Sequence, residues 1–125
     1  MNFSLFAAGV LSVLIGVIHS VLGEKLVLGP LFRRSELPKL LGSTIFARRT
    51  LRFTWHLTTV LLVAIGAVAV VLSLTVLEPQ SVWILRLFAV TFAACSLLSL
   101  VGARGRHFSW WFFLLIATLL WIGTR

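Results

Sequence analysis

Long apolar runs separated by short polar interruptions make up almost the whole chain. Four runs stand out, at residues 3–23, 53–77, 82–102 and 108–123. A bilayer core of ~30 Å needs about 20 apolar residues in a helix. The first three runs meet that length and the fourth falls short of it. A lone strand would leave its backbone groups unpaired in lipid, so each run is expected to be a helix. The pattern predicts an all-α fold, an integral membrane four-helix antiparallel bundle forming one domain over residues 1–125. A long loop at residues 24–52 separates spans one and two.

The connections are uneven. Glu78-Pro79-Gln80-Ser81 reads as a tight turn, and Ala103-Arg104-Gly105-Arg106-His107 as a short polar link. Within the long loop, Gly29-Pro30 is expected to break helix one after a short overrun. Ser35-Glu36-Leu37-Pro38 has the form of a helix start and Gly42 of its stop. Ser43 or Thr44 then caps a further helix that continues through Arg52 and His56 into span two. The first run is read as a retained span: its leading M-N-F-S-L lacks Lys and Arg, and no small-x-small cleavage site follows. There is no internal repeat.

Composition agrees with this pattern. Of 125 residues, 60% are hydrophobic and 11% charged, against roughly 25% charged in soluble domains. A small soluble domain buries only ~60–70% of the surface its chain exposes, too little to hide so much apolar area. The net charge of +8 comes mostly from the long loop and reads as topology and anionic-headgroup contact rather than nucleic-acid binding. The lone Cys95 excludes an internal disulfide and thiol-oxidoreductase chemistry, and the absence of C-x-x-C-H excludes covalent c-type haem.

Basic residues also orient the chain. Lys25, Arg33, Arg34, Lys39, Arg48, Arg49 and Arg52 lie in the first connection, and Arg104 and Arg106 in the third. The other side carries only Arg86 and Arg125. The positive-inside rule therefore predicts that loops one and three lie in the cytoplasm and both termini outside. Trp55, Trp110 and Trp111 then fall near the inner boundary and Trp83 and Trp121 near the outer, as interfacial belts.

This topology brings His19, His56 and His107 to one side. On span one, Gly9, Ser12, Gly16, His19 and Gly23 recur at helical spacing; on span two, Arg52, His56, Thr59, Val63, Gly66, Val70 and Ser73 do the same. Stripes of small and polar residues are expected to face each other inside the bundle, with bulky aliphatic faces toward lipid. His19 and His56 would then lie at similar depth, ~6 Å inside the boundary, beside Ser20 and Thr59. Glu24 stands about 140° from His19 at ~100° per residue, so it joins them only if the helix end unwinds or the side chain curls back.

Intramembrane titratable residues are functional candidates. His19, His56, Glu24 and His107 are the candidate ligands for haem b or a divalent metal, with Gly9, Gly16, Gly23 and Gly66 leaving room between helices. The plainer reading is an interhelical hydrogen bond that clips two spans together. Arg49, Arg52, Arg104 and Arg106 form a candidate site for an anion or lipid headgroup. Phosphoryl transfer needs carboxylates for a cation, and this side offers only Glu24 and Glu36. The chain resembles four-helix drug exporters in size and hydropathy, but it lacks their carboxylate deep in the first span, so their function does not carry over.

H-S-V-L-G-E at residues 19–24 and R-R-T-L-R-F-T-W-H at residues 48–56 resemble a group of small bacterial four-helix membrane proteins. The resemblance implies the fold and a bacterial origin and brings no reaction with it. His19 and Gly23, as H-x-x-x-G, are also similar to the haem-ligand span of quinone-coupled dehydrogenase anchors, which implies haem. The expectation is a binding or accessory subunit that uses the His/Glu/Arg cluster, with membrane lipids and a membrane-protein partner or second copy as its contacts. The alternative is a haem- or metal-dependent redox or lipid-modifying enzyme.

Overall fold

The structure, a computed structural model, describes residues 1–34 and 37–125. It is helical, and no strand occurs among the described residues. Helix α1 (Phe3–Leu22) runs into a π-helical turn (Gly23–Leu28) and then α2 (Gly29–Phe32), which together make one continuous rod. Helices α3 (Thr44–Ser73), α4 (Pro79–Gly102) and α5 (Ser109–Ile122) follow. The Phe3–Phe32 rod, α3 and α4 are long and apolar enough to cross a membrane, with mean hydropathy of 2.3, 2.2 and 2.1 in their best windows. At 14 residues, α5 is about 21 Å long at ~1.5 Å per residue.

Local chemistry sets most of the helix ends. Asn2 caps α1, its side-chain oxygen accepting from Leu5 N–H at 3.2 Å. Ser43 caps α3 by accepting from Phe46 N–H at 3.2 Å, which satisfies one of the orphan donors of the first turn. Pro79 opens α4, where its missing N–H removes nothing the helix needs.

Two expectations about the long connection are corrected. Gly29-Pro30 does not break helix one. The backbone widens into the π turn just before it, with Gly29 N–H donating to Glu24 O. Proline has no N–H to donate and its ring crowds the preceding turn; a locally wider helix accommodates both facts without ending. The helix expected from Ser35 to Gly42 is also absent where it can be seen. Leu37 to Lys39 have no regular structure, and Leu40 pairs with Ser43 in an isolated bridge. Leu41 and Gly42 take φ of 49° and 79°, outside the right-handed helix, and Pro38 turns its predecessor toward extended backbone. Ser35 and Glu36 lie outside the described residues. Span two also ends earlier than expected, at Ser73 rather than residue 77.

Helices α1 and α3 pack antiparallel along their whole length. A Cβ built on Gly9 would lie 2.6 Å from Gly66 O, and one on Gly66 would lie 2.7 Å from Gly9 O. The backbones touch there, and only glycine permits it. Ser12 Oγ donates to Leu62 O at 2.8 Å, and Gly16 lies against Leu62, Val63 and Thr59. At one end, Asn2 N–H donates to Ser73 O at 2.7 Å and its side-chain amide to Gly123 O at 2.8 Å, tying α1 to both α3 and α5.

Helices α4 and α5 form a second antiparallel pair through Ser96 Oγ donating to Trp110 O at 2.8 Å and through Phe92 against Phe113. Helix α1 also packs on α5, whereas α3 and α4, neighbours in the chain, make little contact. The core is small, built from Leu5, Ala8, Leu62, Ala69, Leu85, Ala89, Phe92, Ile116, Ala117 and Leu120. Leu14, Val60, Leu87 and Leu98 point outward and are more than half exposed. Apolar side chains on the outer faces of helices with an apolar interior fit a lipid surround.

Candidate functional site

The polar side chains of α1 and α3 meet where α1 gives way to the π turn. The antiparallel register that matches Gly9 with Gly66 and Ser12 with Leu62 brings Ser20 opposite His56 and Glu24 opposite Arg52. Ser20 Oγ lies 2.6 Å from His56 Nδ1. His56 Nε2 lies 3.4 Å from Glu24 Oε2. Arg52 grips the same carboxylate with both ends of its fork, Nη2 at 2.6 Å from Oε1 and Nε at 3.2 Å from Oε2. The Phe32 ring lies 5.2 Å from the Arg52 guanidinium carbon. A cation over the negative face of an aromatic ring is attracted to it.

Glu24 follows Ser20 by four residues, about 40° around a helix at ~100° per residue, so it shares the Ser20 face while standing about 140° from His19. The π turn that begins at Gly23 accommodates Pro30 just beyond it.

The network has a definite polarity. Paired with a guanidinium, Glu24 is a carboxylate and only accepts hydrogen bonds. When the His56 ring is neutral, a proton on Nε2 faces that carboxylate and a bare Nδ1 accepts from the Ser20 hydroxyl. Read outward, the chain of donors runs from Ser20 to His56 to Glu24, with Arg52 donating to Glu24 from the far side. Side-chain exposures of 52% for Arg52, 39% for His56 and 38% for Glu24 set the cluster at a surface rather than in the core.

The expected pairing of His19 with His56 takes a different form. The His19 ring stacks on Trp55, with centroids 4.6 Å apart and planes 5° from parallel. Trp55 Nε1 donates to His19 O at 3.1 Å. Gly23 makes room for this: a Cβ there would fall 1.9 Å from Trp55 Nε1. His107 sits at the start of α5, where its Nδ1 lies 2.8 Å from Ser109 Oγ, and Ser109 Oγ in turn contacts Ser99 Oγ. Among the described residues no three His, Cys, Asp or Glu side chains gather as a metal-ligand group. The arrangement therefore joins Glu24 with His56 and holds His19 and His107 in separate contacts.

Arg49, Arg104 and Arg106 are exposed and join the cluster through no hydrogen bond or ion pair among the described residues. Arg104 and Arg106 lie in the α4–α5 connection, at the end of the molecule opposite Asn2 and Gly123 and so on the same end as Glu24. Two partners went unread in the sequence. Trp55 had the form of a belt residue, and its position beside His56 and three residues after Arg52 is the signal that it faces α1. Phe32 lies beyond the expected helix break.

The chain matches no family model, no curated protein and no solved structure.

Proposed function

We propose that this protein is a small multi-pass component of a bacterial inner membrane that binds the anionic headgroup of a membrane amphiphile at its cytoplasmic boundary, acting as a binding or accessory subunit. The observation that carries this reading is the Ser20–His56–Glu24–Arg52 network at the mouth of the α1–α3 pair. The first connection, which runs from Glu24 to Arg52, carries seven Lys and Arg against Glu24 and Glu36 as its only acids. Excess positive charge beside a membrane attracts anionic lipid, at about 1 kcal/mol per basic residue near the surface. Arg52 is already held by Glu24, so it orders the site while Arg48, Arg49, Lys25 and the arginines of the α4–α5 connection supply unneutralised charge.

In this reading all four helices cross the bilayer, loops one and three face the cytoplasm and both termini lie outside. Nine basic residues against two support the orientation. Helix α5 is short for a span, and local thinning of the bilayer accommodates a short span at modest cost; Trp110, Trp111 and Trp121 anchor its ends.

Two measurements test the reading. Native mass spectrometry of the protein released from mixed phosphatidylglycerol and phosphatidylcholine nanodiscs is expected to show preferential retention of phosphatidylglycerol, weakened in a combined Arg49→Ala, Arg52→Ala variant. Equal retention of the two lipids by the wild-type chain contradicts it. For orientation, in a Cys95→Ser background, Glu78→Cys should react with an impermeant maleimide added to intact spheroplasts and Arg49→Cys only after permeabilisation.

A further inference from the structure

Beyond binding, we propose that Ser20 is a nucleophile and that Ser20, His56 and Glu24 form an acyl-transfer site acting on the fatty acyl esters of an anionic glycerophospholipid. The substrate class rests on the headgroup reading above; the nucleophile assignment rests on geometry alone.

Three features support it. First, a serine on a helix commonly turns its hydroxyl back to the carbonyl of the preceding turn, but Ser20 Oγ instead lies 2.6 Å from His56 Nδ1 on another helix. Second, His56 is oriented for the task. Glu24 at 3.4 Å from Nε2 selects the tautomer whose Nδ1 is free to take a proton, and Arg52 at 2.6 Å keeps Glu24 ionised and fixed. Nucleophile, base and orienting carboxylate thus occur in the order that activates a hydroxyl. The ring nitrogens are used in the opposite sense to the serine-protease arrangement, in which the carboxylate holds Nδ1 and the serine meets Nε2. Third, the depth fits. Ser20 precedes Glu24 by four residues, about one turn or ~6 Å along the helix. In a glycerophospholipid the ester carbonyls lie just beneath the phosphate, so a headgroup held by the basic residues around Glu24 presents its esters at the level of Ser20. Ser20 and His56 are both partly exposed, which leaves the pair open to a reacting carbonyl.

The step balances without a cofactor. Ser20 Oγ bonds to the ester carbonyl carbon while its proton passes to His56 Nδ1. Glu24 stabilises the imidazolium. Collapse of the tetrahedral adduct breaks the bond to the glycerol oxygen, which takes the proton from Nδ1 and leaves as lysophospholipid. Water then attacks the acyl-serine by the same route, releasing the fatty acid and restoring Ser20.

The test uses the full chain in nanodiscs, with a fluorophosphonate probe and p-nitrophenyl octanoate. The expected result is a phosphonyl adduct mapped to Ser20, absent in Ser20→Ala. His56→Ala should slow adduct formation and ester hydrolysis by about 10²–10⁴-fold, the usual contribution of a positioned general base. Glu24→Gln keeps an acceptor for Nε2–H and should show a smaller loss. A helix-clipping role for Ser20 would move none of these readouts. The proposal is overturned if the wild-type protein, folded by circular dichroism, gives no Ser20 adduct and no hydrolysis. It is equally overturned if labelling is unchanged in His56→Ala. Phosphatidylglycerol retention in the same nanodiscs is read separately, so loss of the headgroup reading and loss of the nucleophile are distinguishable.

Discussion

Replacing Gly23 with alanine probes how the site is held together. The added Cβ would fall 1.9 Å from Trp55 Nε1, 2.2 Å from Cε2 and 2.6 Å from Cζ2. These are atoms of a rigid ring, so the whole indole must swing away. Doing so breaks the Nε1–H bond to His19 O, worth ~0.6 kcal/mol for an average interhelical hydrogen bond in a membrane. It also breaks the stack on His19, worth about 0.5–1.5 kcal/mol. Against this loss of ~1–2 kcal/mol, alanine is a better helix former than glycine by about 1 kcal/mol. These terms nearly cancel, to within ~1 kcal/mol, and overpacking against the displaced indole adds about 1–3 kcal/mol, while the local structure changes outright. Fluorine NMR of 5-fluorotryptophan-labelled protein, with Trp55 assigned through Trp55→Phe, reports both halves of this expectation. The Trp55 resonance should shift strongly in Gly23→Ala while those of Trp83 and Trp121 at the far end stay in place. An unmoved Trp55 resonance would show that the indole is not seated against Gly23 and would remove the basis for the packing described here.

Other consequences follow from the same contacts. Gly66→Val places side-chain atoms against Gly9 O and Val13, and overpacking of this kind should destabilise the α1–α3 pair by about 1–3 kcal/mol, read by steric trapping of unfolding in bicelles. Ser12→Ala removes the bond to Leu62 O and should cost only ~0.6 kcal/mol by the same method, a direct comparison of a polar clip with a backbone contact. At the opposite end, Arg86 lies 5.8 Å from the Trp83 ring and 5.5 Å from the Trp121 ring while donating to Thr124 O. Arg86→Met should therefore shift the fluorine resonances of Trp83 and Trp121 and leave that of Trp55 unchanged.

Much of the architecture was readable because lipid imposes simple demands. Run length marked the helices, and the spacing of Gly9, Ser12 and Gly16 against Val63, Gly66 and Val70 marked the face on which α1 and α3 meet. The position of Ser43 marked the start of α3. What could not be read depends on departures from regular geometry. Gly29-Pro30 ends most helices, and nothing local says that a π turn will absorb the proline instead. Glu24 was set at the edge of the cluster by its phase relative to His19, but it lies one turn after Ser20 on that residue's face and stands between Arg52 and His56. The histidines illustrate a second limit. Helical phase brought His19 and His56 to the same pair of helices, but whether two rings face each other or take other partners depends on side-chain packing. Here the Trp55 indole, admitted by Gly23, covers His19, and Ser20 occupies the His56 nitrogen that would have faced it.

The oriented chain from Ser20 through His56 to Glu24 is the feature on which the site depends, and nitrogen-15 NMR of histidine-labelled protein in nanodiscs reads it directly. At a pH where the ring is neutral, the His56 signal, assigned by its loss in His56→Gln, should show a protonated Nε2 and a bare Nδ1 hydrogen-bonded to a hydroxyl, with the Nδ1 shift changing in Ser20→Ala. A proton found on Nδ1, or a spectrum indifferent to Ser20, would contradict the account.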